Sequence, residues 1–257
     1  NAESFSQSLK EEFNSQALSD NLDICVLAYK LMTSICHNNA DNQYYAYRSC
    51  VDYLKYQAGY FLGTTEFLQS LLDRNEKLLL SLYRARQNIM TYFVTLIKES
   101  EVQLNNYRKT AILRFLQAIC TFGDDGITVN QTHLHDLLEL SEETQEFEFP
   151  GLISIRSKNT EVYFVPKIKE PTIGLHVEQE MVIQDAFDNS EPRKEFAEEI
   201  EFFTEQLLMF SAMCKARNYI CKNAFKEMFQ FGTLTNMVWD SGISLKLRAA
   251  ACQLLLT

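Results

Sequence analysis

The four prolines of this 257-residue chain, Pro150, Pro166, Pro171 and Pro192, all fall between positions 150 and 192. Proline fixes φ, lacks an amide donor and breaks a helix interior. Its placement therefore separates one stretch in which helices are interrupted from two flanks in which they are free to run. With only eight glycines in the chain, little else in the flanks opposes helix.

The apolar spacing agrees. In DNLDICVLAYKLMTSIC, Ile24, Leu27, Leu31 and Ile35 fall near one face of a helix that ends at the polar cluster HNNADN. QYYAYRSCVDYLKYQAGYF continues with Tyr47, Val51, Leu54 and Ala58. TTEFLQSLLDRNEKLLLSL reads as two short helices meeting near Asp73 to Asn75. ARQNIMTYFVTLIKES and NNYRKTAILRFLQAIC are two further apolar helices, FGDDG punctuates the second, and NQTHLHDLLEL is a last short one. Successive helices joined by short polar turns are the pattern of a helix-pair solenoid, although no repeat period is visible.

The middle changes character. EFEFPGLISIRS and TEVYFVPK alternate polar and apolar residues, which predicts a two-stranded hairpin turning near Lys158 and Asn159; TIGLHVEQEMVI is a candidate third strand. From Glu191 the helical period returns, with Pro192 in a first-turn position and Ile200, Phe203, Leu207, Phe210 and Cys214 on one stripe opposite the glutamates. Three short helices follow: NYICKNAFKEMFQ, TLTNMVWD and SLKLRAAACQLLLT. The predicted fold is mostly α, an armadillo-like helical solenoid with a small β-hairpin insertion: helical repeats over 1–140, a β-rich insertion over 141–190 and continuing repeats over 191–257. Strands are expected only within about 145–187. The chain stops inside an apolar run, Leu254 to Leu256, with no Gly, Asn or Pro to end the helix. It is read as a piece of something longer.

A net charge of −10 argues against a nucleic-acid surface and against attraction to anionic membranes. No apolar run is long enough to span a bilayer. Seven cysteines without a C-x-x-C pair read as buried thiols in a reducing compartment. His133 and His135 are two apart and cannot share a metal as an i, i+4 pair would, and His37 and His176 have no ligands at suitable spacing. Cys214 and Cys221, with Cys120 and Cys252, read as buried thiols. The acidic runs LSEETQEFEF and EFAEEIEF lack the pattern of a calcium loop and read as solvated helix faces. No nucleophile elbow, phosphate loop or paired-carboxylate cleft is present. No catalytic residue, metal ligand or cofactor is expected.

Two stretches carry a more specific signal. One runs from YAYRSCVDYLKYQAGYF through FLQSLLDRNEKLLLSL to RKTAILRFLQAICTFGDDGITVNQTHLHDLL; the other joins EEIEFFTEQLLMFSAMCKARNYICKNAF to LKLRAAACQLLL. In order and spacing they resemble the cytosolic armadillo-like region of inositol trisphosphate receptors, including the segment shared with ryanodine receptors. The most specific parts are Arg74 to Leu79, Asn130 with Gln131 before a short helix, and Leu247 to Leu256.

The resemblance implies a regulatory and coupling module of a tetrameric calcium-release channel in the endoplasmic reticulum or another intracellular membrane. Its partners would be the channel's other domains and subunits. In that family the ligand pocket lies between a β-trefoil and this helical domain, with a Tyr-Arg-Lys triplet on one helix. The matching positions here are Tyr47, Arg48 and Ser49, so one cation is missing. Inositol trisphosphate is therefore a ligand of the full-length parent, with weak or absent binding by this chain, since a trisphosphate needs a convergent set of Arg and Lys. LKEEFNSQ, near the start, is not a basic helix. The rival reading is an armadillo or HEAT scaffold that presents a concave surface to partners, with no channel attached.

Overall fold

A computed structural model describes residues 16–58, 63–82, 89–99, 106–138, 152–158, 161–165, 167–169, 176–178 and 180–257. The acidic run at 140–149, the basic-helix position near the start, and Pro150, Pro166 and Pro171 lie outside them. The fold is mostly α, with eleven α-helices and a few short strands among the described residues. The chain divides into two compact units, Asn1–Asp73 and Arg74–Thr257.

In the first unit, α1 (Gln16–Cys36), α2 (Ala40–Gln57) and α3 (Thr64–Leu72) pack together. The Asn39 side chain caps α2 by accepting from the Asn42 amide at 3.0 Å, which satisfies a donor that a helix start leaves orphaned. As the spacing predicts, Leu54 and Ala58 of α2 are buried, with Tyr47 and Val51 half-buried on the same stripe. Buried Gln43 donates to the Ser70 and Asp73 carbonyls at 3.0 and 2.9 Å, tying α2 to the end of α3. On α1 the structure chooses a face that the periodicity does not favour. Ile24, Leu27, Leu31 and Ile35 share a side, but they are 62, 63, 62 and 54 % exposed. Packing runs through Val26, Tyr29, Thr33 and Cys36 instead. Tyr29 stacks on fully buried Phe67 with ring centroids 5.8 Å apart, and its hydroxyl donates to Gln57. An aromatic contact plus a hydrogen bond thus outweighs the aliphatic stripe within this unit.

The second unit begins with α4 (Glu76–Ser81), capped by buried Asn75, and the predicted break at Asp73 to Asn75 is where α3 and α4 divide. Next come α5 (Ile89–Glu99) and α6 (Asn106–Ile119), which cross with Phe93 edge-on to Phe115 at 5.0 Å. Between α6 and α7 (Thr128–Leu137) the chain makes a hairpin of two-residue strands, β1 (Thr121–Phe122) and β2 (Asp125–Gly126), turning on Gly123 at φ 60°. This corrects the expectation of strands only within 145–187. The FGDDG punctuation supplies the positive φ that a two-residue hairpin loop requires.

Between α7 and the next helix lie a three-stranded sheet in the order β3 (Ser154–Lys158), β4 (Glu161–Val165), β7 (Met181–Val182), and a separate pair, β5 (Lys167–Lys169) with β6 (His176–Glu178). The β3–β4 register pairs Lys158 with Glu161, one residue from the predicted turn. The candidate third strand is two strands, one in each sheet. After a 3-10 turn at Ile183–Ala186, β8 (Phe187–Asp188) and β9 (Glu191–Pro192) form a last hairpin, with Asn189 and Ser190 at φ 50° and 64°. Pro192 is therefore a strand residue and not a first-turn helix residue. The helix α8 starts only at Ala197, because the chain closes this hairpin first.

The core of the unit is α8 (Ala197–Cys214), which packs against α6, α7, α9 (Tyr219–Met228) and α11 (Leu245–Leu256), with α10 (Phe231–Trp239) beside α11. The predicted stripe Ile200, Phe203, Leu207, Phe210 and Cys214 is buried, and so are Phe202, Met209 and Met213 on other sides, as expected of a helix in the interior of a fold. Gln206 anchors the start of the three-stranded sheet on it: the Ile153 amide donates to its Oε1 (2.9 Å) and its Nε2 donates to the Ile153 carbonyl (2.8 Å). Phe164 meets Phe203 edge-on at 5.6 Å beside this pair.

Two substitutions separate the faces of the first unit. Leu31→Gln should change stability by no more than about 0.5 kcal/mol, as at a surface site, whereas Phe67→Ala should cost about 3–5 kcal/mol. Urea denaturation followed by circular dichroism measures both; equal losses would mean that the α1 stripe is covered.

Candidate functional site

The sequence-predicted ligand residues lie on α2. Tyr47 is half-buried, and burial, with the nearby Asp52 charge second, pushes its phenol well above the ordinary value. Arg48 and Ser49 are exposed. Arg48 has no hydrogen bond or ion pair among the described residues, so its guanidinium is free to meet an anion. Other cationic help on α2 is limited: Lys55 is largely buried and held by Asp52 at 2.8 Å, and Asp52 stands four residues after Arg48 on the same face. One exposed cation beside a carboxylate is a poor receptor for a group with several phosphates.

The second unit contains two polar constellations that spacing alone does not bring together. The first is ionic. Arg114 of α6 donates from Nη2 to Glu201 Oε1 (2.5 Å) and Glu205 Oε1 (3.0 Å) of α8; Lys246 of α11 lies 3.1 and 3.4 Å from the same two atoms. Two carboxylates one helical turn apart thus hold cations from two flanking helices. The Glu205 side chain is only 7 % exposed. A carboxylate this deep needs partners, and it has both. Within EFAEEIEF, Glu195 and Glu198 are exposed, as expected of a solvated face, and Glu201 is partly exposed while it holds both cations. Burial alone would raise the Glu201 carboxyl, but the hydrogen bond and charge of Lys246, followed by those of Arg114, outweigh it and the pKa is lowered.

The second constellation centres on fully buried Gln131 of α7. Its Nε2 donates to the carbonyls of Ala212 (2.9 Å) and Lys215 (3.2 Å), where α8 ends, and its Oε1 accepts from Asn218 Nδ2 (3.1 Å). Asn218 in turn caps α9 through the Cys221 amide. Ala216 and Arg217, between the two helices, are both left-handed (φ 56° and 60°), at roughly 1–2 kcal/mol each for L-residues. Gly126 makes room for this corner, since a Cβ there would lie 2.7 Å from the Lys215 carbonyl oxygen. Neighbouring Asn130 donates to the carbonyls of Leu79 (3.1 Å) and Ile119 (2.8 Å), joining α4 and α6 to α7. Asn130 and Gln131 lie inside α7 and not before it, because the helix begins at Thr128.

The thiols are free. Cys36, Cys120, Cys214 and Cys221 are buried; Cys50 and Cys252 are intermediate; Cys25 is exposed, against the expectation of buried cysteines. Burial pushes Cys214 and Cys221 up to about 12. Cys214 and Cys221 do not share a continuous helix, since the chain breaks at Lys215–Arg217. Among the described residues no group of three His, Cys, Asp or Glu could hold a metal ion.

A family model for the RIH domain matches residues 2–144, more than half of the chain. The chain belongs to the RIH domain family. This is the homology region of ryanodine and inositol trisphosphate receptors, part of the cytosolic portion of intracellular calcium channels, and a channel-receptor family and not a known enzyme family. The RIH match takes in α1 to α7, and so both Arg48 and the Asn130–Gln131 pair, while β3 to β9 and α8 to α11 lie beyond it.

The ionic tie makes a pH prediction. Because the folded pKa of Glu201 is lowered, its stabilisation is present above the ordinary carboxylate value of 4.5 and is lost as pH falls through the lower folded value. Wild type should therefore exceed Glu201→Gln in melting temperature at neutral pH, and the gap should close below pH 4.5. A gap that is constant with pH would mean the tie contributes nothing.

Proposed function

We propose that this chain is a cytosolic regulatory and coupling module of an inositol trisphosphate receptor-like calcium-release channel of the endoplasmic reticulum or another intracellular membrane, relaying ligand binding toward the pore. The RIH match over 2–144 carries the reading. The polar ties within the second unit support it: α6, α8 and α11 share one ionic knot, and α7 is held to the α8–α9 corner, so these helices move together. Packed elements that shift as a body are how such modules transmit a change. Among the described residues no helix is long and apolar enough to cross a membrane.

In this reading the helices form an armadillo-like solenoid, with repeats over 1–140 and 191–257 and an insertion over 141–190. Its partners are the other domains and subunits of a tetramer. Tyr47 and Arg48 are inherited ligand contacts that act only with basic residues supplied elsewhere in the parent. The exposed stripe of α1 gives the scaffold reading one observation of its own, because four large apolar residues on one helix face suit a protein contact.

Two experiments test this. Calorimetry of the isolated chain with inositol trisphosphate should show weak or no binding; tight saturable binding that Arg48→Ala abolishes would reveal a complete pocket. In the full-length parent, Arg114→Gln should leave ligand affinity within about twofold while lowering calcium release at saturating ligand, since it loosens the coupling body and not the ligand face. Unchanged release would overturn the coupling role.

A further inference from the structure

Helix α1 leaves its most apolar side in water. Ile24, Leu27, Leu31 and Ile35 are 62, 63, 62 and 54 % exposed. At 3.6 residues per turn they form one row over about 16 Å of the helix. The packing of α1 on α2 and α3 uses another side, through Val26, Tyr29, Thr33 and Cys36. A contiguous row of large aliphatic groups marks a contact surface, whereas single exposed leucines need no explanation.

Two charges border the row. Asp23 and Lys30 are both exposed, and among the described residues neither side chain has a hydrogen bond or an ion pair. Seven positions are close to two turns, so both stand on the same edge of the row, beside Leu27 and about 10 Å apart along the axis. We propose that this row is the contact surface of a homodimer, in which α1 packs antiparallel on α1 of a second copy. A two-fold axis crossing the row near Leu27 sets Asp23 of each copy opposite Lys30 of the other. Both free charges are then paired at once, as edge charges do where they fix the orientation of paired helices. A parallel arrangement would set like against like.

A different partner would have to bring an apolar row with a base and an acid at this same spacing. A second copy carries them already, because an isologous contact is self-complementary. The size of the surface sets its strength. One helix face of this length buries less than the roughly 800 Å² per partner of a standard interface, and association must offset lost freedom. The dimer is therefore weak, with a Kd on the order of 0.1 mM, and it forms where copies are held at high local concentration. The contact uses neither Arg48 nor the ties of the second unit, so it stands or falls apart from the coupling role.

The symmetry makes a charge exchange the test. Sedimentation equilibrium of the chain, from about 10 µM to about 1 mM, should show a reversible monomer–dimer equilibrium; a reducing agent keeps exposed Cys25 from linking copies. Leu31→Gln should weaken the dimer at least about tenfold, since the symmetric contact loses a buried leucine from each copy. Asp23→Lys and Lys30→Asp should each weaken it about fivefold, the range of exposed ion pairs. The double exchange Asp23→Lys with Lys30→Asp should restore it to within about twofold, because the charges again meet their opposites. Leu256→Gln, at a leucine of α11 that is 80 % exposed, should change nothing. Circular dichroism checks that each variant folds; should Asp23→Lys unfold, Lys30→Asp and Leu31→Gln decide. A monomer throughout the range would overturn the proposal and leave the row to another partner. So would a double exchange as weak as the single ones, or a loss in Leu256→Gln that matches Leu31→Gln, which would move the contact to a different face.

Discussion

One side-chain amide closes the second unit. Gln131 reaches carbonyls 81 and 84 positions away and accepts from an asparagine 87 positions away, all of them at the corner where α8 hands over to α9. The corner needs such help. Two successive left-handed residues are unfavourable without glycine, and the carbonyls at a helix end are orphaned unless something donates to them. Gln131 donates, Asn218 caps α9, and Gly126 lets the two segments approach. Had this amide no partners, burying it would be costly; with them, it sets the angle between two helices that carry much of the core.

The ionic knot works differently. Its charges are graded in exposure, from the nearly buried Glu205 to the half-open Lys246 and Arg114. A fully buried network would bring a desolvation penalty that can exceed its attraction. A fully exposed one would be screened and worth little. Placed between, it orients α6 and α11 on α8 while the aromatic contacts of the core supply the larger share of cohesion.

Most of the helices were legible because their signal is local: an apolar residue every three or four positions, interrupted by polar clusters. The split at Asp73 to Asn75 could be read because Asp73, Arg74 and Asn75 interrupt the apolar run with a polar cluster and Asn75 suits a cap. The face of α1 could not. Val26, Tyr29, Thr33 and Cys36 form a weaker stripe than Ile24, Leu27, Leu31 and Ile35, and the contacts of Tyr29 with Phe67 and Gln57, distant in sequence, decide between them. The start of α8 was misplaced for a similar reason: Pro192 suits a helix start, yet Asn189 and Ser190 had already set a hairpin turn. Tyr47 and Arg48 were expected as ligand contacts through resemblance alone, and the structure adds how few cations stand near them on α2. The ties were illegible as ties, because partners as far as 91 positions apart share no period. Asn130 and Gln131 were nevertheless singled out through the resemblance, and the carbonyls to which their buried amides donate explain why they stand there.

The thiols give this chain a graded chemical surface. Cys25 faces solvent on α1, whereas Cys120, Cys214 and Cys221 lie under α8 and its neighbours, where burial holds their protons on. A thiol reacts as its thiolate and only when reached, so in the folded chain a sulfhydryl reagent meets Cys25 freely and the other three only when the helices around them part. The order in which these sulfurs become reactive is therefore a record, written in covalent bonds, of which helices separate first.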